Sequence, residues 1–375
     1  MSKVLRFRKG LLIFPLLALL LACEREQPTG TTIGSQGNTP PTNATIFANA
    51  KVREELNLGD QRDFEDARRG LIAVPTALEV AGPGDSTVWD MPSYDFIQGE
   101  APDTVNPSLW RQATLNNNHG LFEVTEGVYQ LRGFDLSNMS IIEGQTGWII
   151  VDPLTSKETA AAAIAFAREH LGNEPVSAII FTHSHIDHFG GVASVLGAED
   201  NTEIFAPAGF MDEATSENVI VGSTMSRRSM YMYGSQLEHS AKGHIGSGLG
   251  KGPAFGSPGI AAPTHIIDTT GESTIIDGVE FIFQNAAGSE APAELTFYLP
   301  ELKTFCGAEV VSRNMHNLYT LRGAKVRDAR KWSHYINEAI ELFPDTEVYF
   351  GSHHWPLWGN ETIIDFLKKQ RDMYR

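Results

Sequence analysis

The chain has 375 residues, 42% hydrophobic and 20% charged, enough for one large layered α/β domain and unlike any collagenous, coiled-coil or low-complexity class. Its formal charge is −17; without the first 22 residues, 25 basic residues face 46 acidic ones and the balance reaches −21. Such a field repels polyanions, so no nucleic-acid partner is expected, while a small anionic substrate stays open because local cations or metals override the mean field.

Residues 1–22 join a basic stretch (Lys3, Arg6, Arg8, Lys9) to an apolar run from Leu11 to Ala22, too short for a comfortable membrane span. The run ends Leu20-Leu21-Ala22-Cys23, which resembles the bacterial lipoprotein signal; an ordinary export signal is the alternative. The resemblance implies that Cys23 is acylated and that the exported protein is held at a membrane, facing the periplasm or the cell exterior. Residues 23–45 are rich in Thr, Gly, Asn, Pro and Gln and read as a flexible tether. Residues 46–120 read as an extension wrapped on the core, with a helix over 50–71 and a Pro/Gly/Asp-rich meander to about Pro107.

The catalytic domain is expected over 121–360. Residues 121–131 predict strands joined at Glu126-Gly127, and Met139–Glu143 with Trp148–Val151 predict a hairpin around Gly144-Gln145-Thr146-Gly147. Lys157 to Leu171 is an amphipathic helix, and the run from Val176 to Phe181 suits a buried strand. A strand over 203–206, a helix over 213–236 and a glycine-rich loop over 239–263 follow. Strands resume near Ile266 and over 273–276, 280–284, 295–299 and 303–306, then a helix over 326–343 and a strand over 347–350. This order predicts an α/β fold, an αββα sandwich with an N-terminal extension. Residues 361–375 read as the start of a truncated C-terminal helical region.

The decisive segment is Thr182-His183-Ser184-His185-Ile186-Asp187-His188-Phe189-Gly190-Gly191, directly after a strand. Four ligand-type side chains within six residues can aim His183 and His185 at one metal and Asp187 and His188 at a second. Nitrogen and carboxylate ligands without cysteine suit Zn²⁺, with Mn²⁺ or Fe²⁺ as alternatives. Three later strand ends can supply more ligands: residues 288–294 with Glu290 and Glu294, residues 306–309 with Glu309, and residues 351–356 with His353 and His354. All can converge on one rim of a sandwich.

The HxHxDH pattern resembles the signature of the metallo-β-lactamase superfamily, which implies this sandwich and a dinuclear zinc site. Glu290 and Glu309 stand where common members carry a histidine and an aspartate, and this is similar to the alkyl sulfatases. GFDLSNMSIIEGQTGWIIVDPLTS (133–156), GSEAPAE (288–294), CGAE (306–309), NMHNLYTLRGA (314–324) and SHHWP followed by WGN (352–360) also match that family. The resemblance implies one zinc on His183, His185 and Glu290, a second on Asp187, His188 and His354, and Glu309 bridging. It makes Asp187 and Glu309, with a metal-held water, the catalytic groups. His354 is preferred to His353 on family spacing, leaving His353 to face the substrate or support the ligands; Glu294 is the rival of Glu290. Asn317 and Arg322 look like the family's sulfate-binding pair, and Tyr233 is a further candidate for contacting sulfate or chain. The expected activity is hydrolysis of alkyl sulfate esters to alcohol and sulfate. A lactonase or β-lactamase on the same fold, and a lipoprotein that binds metal or alkyl anions without turnover, are the alternatives. Family members carry a helical dimerisation domain and a domain resembling sterol carrier proteins beyond this point. This chain stops at Arg375, which reads either as a truncated gene product or as a shortened form; a homodimer is open to full-length members and is not expected here.

Overall fold

A capped helix opens the folded part of the chain, whose described residues in this computed structural model are 37–196 and 202–375. The signal segment, Cys23 and most of the tether lie outside the described residues. The first helix, α1 (Asn43–Glu55), begins where the Thr42 hydroxyl accepts from the Thr45 N–H at 3.2 Å. The helix expected over 50–71 is broken after it. Asn57, Gly59 and Asp60 favour turns over helix, and Asp60 accepts from the Arg62 N–H to start the short α2 (Arg62–Asp66). The meander contains a strand β1 (Leu71–Ala73), a hairpin of β2 (Glu79–Ala81) and β3 (Thr87–Asp90), and a helix α3 (Pro107–Leu115). Asn106 caps α3 by accepting from Ser108 N–H, and Pro107 takes the first-turn position, where its missing N–H costs nothing.

Next come β4 (Gly120–Thr125), β5 (Val128–Arg132), β6 (Met139–Glu143), β7 (Trp148–Val151), α4 (Lys157–Leu171), β8 (Val176–Ile180) and β9 (Glu203–Pro207). The expected helix over 213–236 is split into α5 (Phe210–Thr215), a π-helical turn Ser216–Ile220 and α6 (Gly222–Tyr233). The remaining elements are β10 (His265–Ile267), β11 (Ser273–Ile276), β12 (Val279–Asn285), β13 (Leu295–Leu299), β14 (Thr304–Cys306), α7 (Ala329–Leu342), β15 (Val348–Phe350), β16 (Leu357–Trp358) and α8 (Asn360–Tyr374).

Two large sheets result. The first runs β1-β4-β5-β6-β7-β8-β9-β10, antiparallel up to β7 and parallel from β7 to β10; the second runs β11 to β16 in order. Strand alternation sends one face of each sheet inward, so Ile149, Val151, Ile180 and Phe205 of the first meet Phe281, Phe283, Leu295 and Phe297 of the second. Each such buried side chain contributes about 1.5–3 kcal/mol. Outside the first sheet, α4 packs Ala160, Ala163 and Ile164 with Trp148, Ile150 and the hairpin's Val80 and Trp89. Outside the second, α7 and α8 pack Trp332, Ile336, Ile363 and Leu367 against Phe305 and Tyr349. The expected αββα sandwich is the observed fold. Residues 361–375, read as the start of a further helical region, lie in α8 and pack in the sandwich's last layer: the Tyr374 and Trp332 rings stack with centroids 4.2 Å apart.

Candidate metal centre

The strand β8 is parallel to β7 and β9, so the segment leaving its C-terminal end emerges at the rim of the first sheet. His185 is extended and leads into one 3₁₀ turn, Ile186–His188. Gly190 and Gly191 follow because backbone crowds them: a Cβ would lie 2.0 Å from the Thr155 carbonyl oxygen and 2.1 Å from that of Pro153. On the second sheet, Glu290 sits between β12 and β13, Glu309 follows β14 and His353 follows β15. The two sheets thus deliver their polar strand ends to one place.

There the side chains converge on Glu309. Its Oε2 is 3.1 Å from His183 Nε2, 3.3 Å from His188 Nε2 and 3.2 Å from His353 Nε2. Glu290 Oε2 lies 2.9 Å from His185 Nδ1 and 3.6 Å from His183 Nε2, and Asp187 Oδ2 lies 3.2 Å from His188 Nε2. Three ligand-like groups have their donor atoms within 4.8 Å of one another: the two four-residue sets His183/His185/Glu290/Glu309 and Asp187/His188/Glu309/His353, and the trio Asp152/His183/His188 behind them. The donor set fits divalent cations on a specific observation. His183 Nε2, His188 Nε2, His353 Nε2 and Glu290 Oε2 are buried without a hydrogen-bond partner among the described residues. Orphaned buried donors and acceptors facing one another are costly unless a further group completes them.

The other ring nitrogens are tied down, as metal-binding imidazoles require. His188 Nδ1 is 2.8 Å from Asp152 Oδ2, His183 Nδ1 is 2.9 Å from the Thr182 hydroxyl, and His353 Nδ1 donates to the Leu136 carbonyl at 3.1 Å. Asp152, in a left-handed conformation (φ 55°), also accepts from Thr182 N–H and from the Ser352 hydroxyl. Burial pushes the Glu309 carboxyl up, but the imidazoles of His353, His183, His188 and His316 outweigh it and hold the group well below the usual carboxylate range. Glu294 goes the other way, raised by burial and by the Glu290 charge. It accepts from Ser289 Oγ and Ala291 N–H and stands outside both sets.

One expectation is corrected. His353, not His354, belongs to the group, and His353 does not line the cavity beside it. The reason is local: His354 adopts φ 64°, which turns its ring away, and its Nε2 donates to the Gly248 carbonyl at 2.9 Å while Nδ1 accepts from Arg313 N–H.

A cavity of about 820 Å³ opens from this group to the surface. His185, Asp187, Glu290 and Glu309 form its floor, and Asn317, Arg322 and Tyr233 line its wall. Arg322 Nη2 donates to Glu217 Oε1 at 3.1 Å; burial disfavours its charge, but Tyr233, Glu217 and Glu290 raise its pKa above the ordinary value. The reading of the sequence missed four supports: Asp152, Glu217, His316 and Arg327. His316 Nε2 is 3.2 Å from Glu309 Oε1. Arg327 pairs with Glu290 and donates to Asn317 Oδ1 at 2.9 Å. The one local signal was an aspartate ending a wholly apolar strand, at Asp152.

Residues 132–353 match the family model described as the metallo-beta-lactamase superfamily. The chain is 47% identical over 354 residues to a linear primary-alkylsulfatase of Pseudomonas, covering 92% of this chain and 52% of the relative. It is 47% identical over 338 residues to an alkyl/aryl-sulfatase of Saccharomyces cerevisiae, covering 88% and 52%. The solved structure of a stereoselective inverting sec-alkylsulfatase from Pseudomonas superposes with a TM-score of 0.87 at 42% identity, covering 90% of this chain and 54% of that one. The chain spans about half the length of the curated relatives it matches.

Proposed function

This chain belongs to the metallo-β-lactamase superfamily, and from that premise we propose that it hydrolyses alkyl sulfate esters to an alcohol and sulfate at a dinuclear zinc site. His183, His185 and Glu290 would hold one ion, Asp187, His188 and His353 the other, with Glu309 shared. When bound, such ions supply Lewis acidity and a hydrolytic water usable near neutral pH. The all-nitrogen-and-oxygen donor set suits zinc.

The protein's own groups bind and orient the ester. The Arg322 guanidinium offers a planar fork to two sulfate oxygens, and Glu217 fixes its plane from behind. Asn317, its carbonyl oxygen already engaged by Arg327, has its amide N–H groups left for a third sulfate oxygen. Met225, Met232, Leu249 and Phe255 give the wall an apolar stretch on which an alkyl chain can lie, each buried methylene contributing roughly 0.8 kcal/mol. The observation that carries the reading is that one cavity holds both the carboxylate–histidine floor and the buried Arg322.

The test is sulfate release from dodecyl sulfate by zinc-loaded protein, run beside nitrocefin and a lactone. Turnover of the sulfate alone is expected. Turnover of nitrocefin or the lactone in its place would replace the sulfatase reading, and metal binding with no turnover of any of the three would leave a binding protein. Export and acylation at Cys23 are part of the proposal and rest on the residues before it. Cys23→Ser should move the protein from the membrane pellet to the soluble or unprocessed fraction, and unchanged fractionation would reject the anchor.

A further inference from the structure

Two segments that edge the mouth of the large cavity lack acids in an otherwise acidic chain. No Asp or Glu occurs between Glu217 and Glu238, nor between Glu309 and Asp328, although the formal charge of the chain is −17. The basic residues of these runs are Arg227, Arg228, Arg313, Arg322, Lys325 and Arg327. Arg313, Arg322, Lys325 and Arg327 pair with Asp63, Glu217, Glu213 and Glu290 in turn. Arg227 and Arg228 are exposed and have no such partner among the described residues. The two runs meet: besides the pairs to Glu217 and Glu213, Arg228 Nη1 lies 2.7 Å from where a Cβ on Gly323 would stand.

The same runs concentrate exposed apolar side chains. Val219 and Ile220 on the π turn, Tyr231 on α6, and Leu321 and Val326 on the other run all stand out of the surface, Ile220 77% and Leu321 73% exposed. Met315, Tyr319 and Leu321 line the cavity although each is at least half exposed, which puts them at its mouth. On α6, Thr224, Arg227, Arg228 and Tyr231 are spaced three and four apart and share one outward face. An exposed apolar patch of this kind marks an interface. Charge argues against a second copy as its cover. A two-fold contact would set this acid-free face, with Arg227 and Arg228, against itself.

We propose that this rim docks on a bilayer carrying acidic phospholipid, so that the cavity opens onto the lipid surface. Aliphatic tips enter the headgroup boundary, a tyrosine ring rests there, and unpaired arginines gain from acidic headgroups. The negative mean field of the chain is screened beyond a Debye length of about 8 Å, and inside it the rim's own charges decide. The choice of lipid as partner rests on the alkyl sulfate reading. Such an amphiphile partitions into bilayers, and a mouth seated there receives its chain without drawing it through water.

Zinc-loaded protein beginning at Glu24 keeps every described residue and the compact unit Pro41–Arg375, and lacks the apolar leader and Cys23. It should sediment with vesicles of equal phosphatidylcholine and phosphatidylglycerol, and far less with phosphatidylcholine alone. Arg227→Gln with Arg228→Gln should weaken binding to the mixed vesicles about 30-fold. Ile220→Asp should weaken it by at least about tenfold. All three side chains are exposed, so fold and metal content should be unchanged. No alkyl sulfate is present, so this assay can fail while turnover succeeds, and the reverse. No binding to mixed vesicles overturns the proposal, as does equal binding to both kinds or binding that the variants leave unchanged. A lipid-free dimer that Ile220→Asp turns into a monomer also overturns it, because the rim then covers another copy.

Discussion

The floor group beneath the large cavity, of which His185, Asp187, Glu290 and Glu309 face the cavity itself, is built from strand ends of both sheets: His183, His185, Asp187 and His188 after β8, Glu290, Glu309 and His353 from the second sheet. The cavity's wall comes from segments outside both sheets, the π turn carrying Glu217, α6 ending at Tyr233, and the irregular run holding Asn317 and Arg322. The floor inherits the rigidity of a packed core, whereas the wall depends on side-chain pairs such as Arg322–Glu217 and Arg327–Asn317. The contrast separates two tasks. A metal group needs donor atoms fixed to fractions of an ångström, while a pocket for varied alkyl chains needs a surface that can change without disturbing that group. π turns are enriched where a helix has been adapted to a site.

The largest effect should come from the floor. His183→Ala removes an imidazole that faces both Glu290 and Glu309. Metal content should fall by at least one ion per chain and alkyl sulfate hydrolysis by about 10³-fold. Full metal content in this variant would show that the floor does not ligate as a set.

The wall should respond differently. Arg322→Ala should leave metal content intact and lower alkyl sulfate turnover about 10- to 100-fold, the loss of charge-assisted bonds worth roughly 1.5–3 kcal/mol. Lysine should rescue poorly, because a point charge lacks the planar fork. A neutral ester should be affected much less; equal losses on both substrates would make Arg322 an architectural residue.

Beneath the floor, Asp152→Asn should weaken metal retention by about tenfold by freeing the His188 ring, with activity recovering as zinc is added. Activity that stays low at saturating zinc, with the fold intact, would give Asp152 another role.

What the sequence made legible follows from distance along the chain. The histidine segment is local, four ligand-type side chains in six residues after an apolar strand, and the strands of both sheets announce themselves by apolar runs. The supports are not local. Asp152 reaches His188 across 36 residues, Arg327 reaches Glu290 across 37, and Arg322 reaches Glu217 across 105. No periodicity marks such pairs. The helix α3 was hidden for a different reason: its Asn106-Pro107 start is a capping signal, but it sits in a run whose prolines and glycines read as meander. The break at 216–221 did carry a signal, the run Val219-Ile220-Val221-Gly222 of weak helix formers, which the apolar pattern on either side overrode.

The smallest effect, and the sharpest comparison, lies in two adjacent histidines. Consecutive residues leaving a strand point to opposite sides, and the left-handed conformation of His354 completes the separation. His353 then faces Glu309, while His354 joins the Gly248 carbonyl to the Arg313 N–H. Burial lowers the His354 pKa to about 3, so its ring stays neutral near pH 7, one nitrogen donating and the other accepting. His354→Ala should therefore keep the full metal content and cost about 1–2 kcal/mol of stability, from one lost hydrogen bond and one unmatched backbone N–H. His353→Ala, at the neighbouring position, should lose an ion. Metal analysis and thermal melting of the two variants side by side decide the matter. Loss of metal from His354→Ala with retention in His353→Ala would reverse the assignment and return the second site to the spacing that the family resemblance implied.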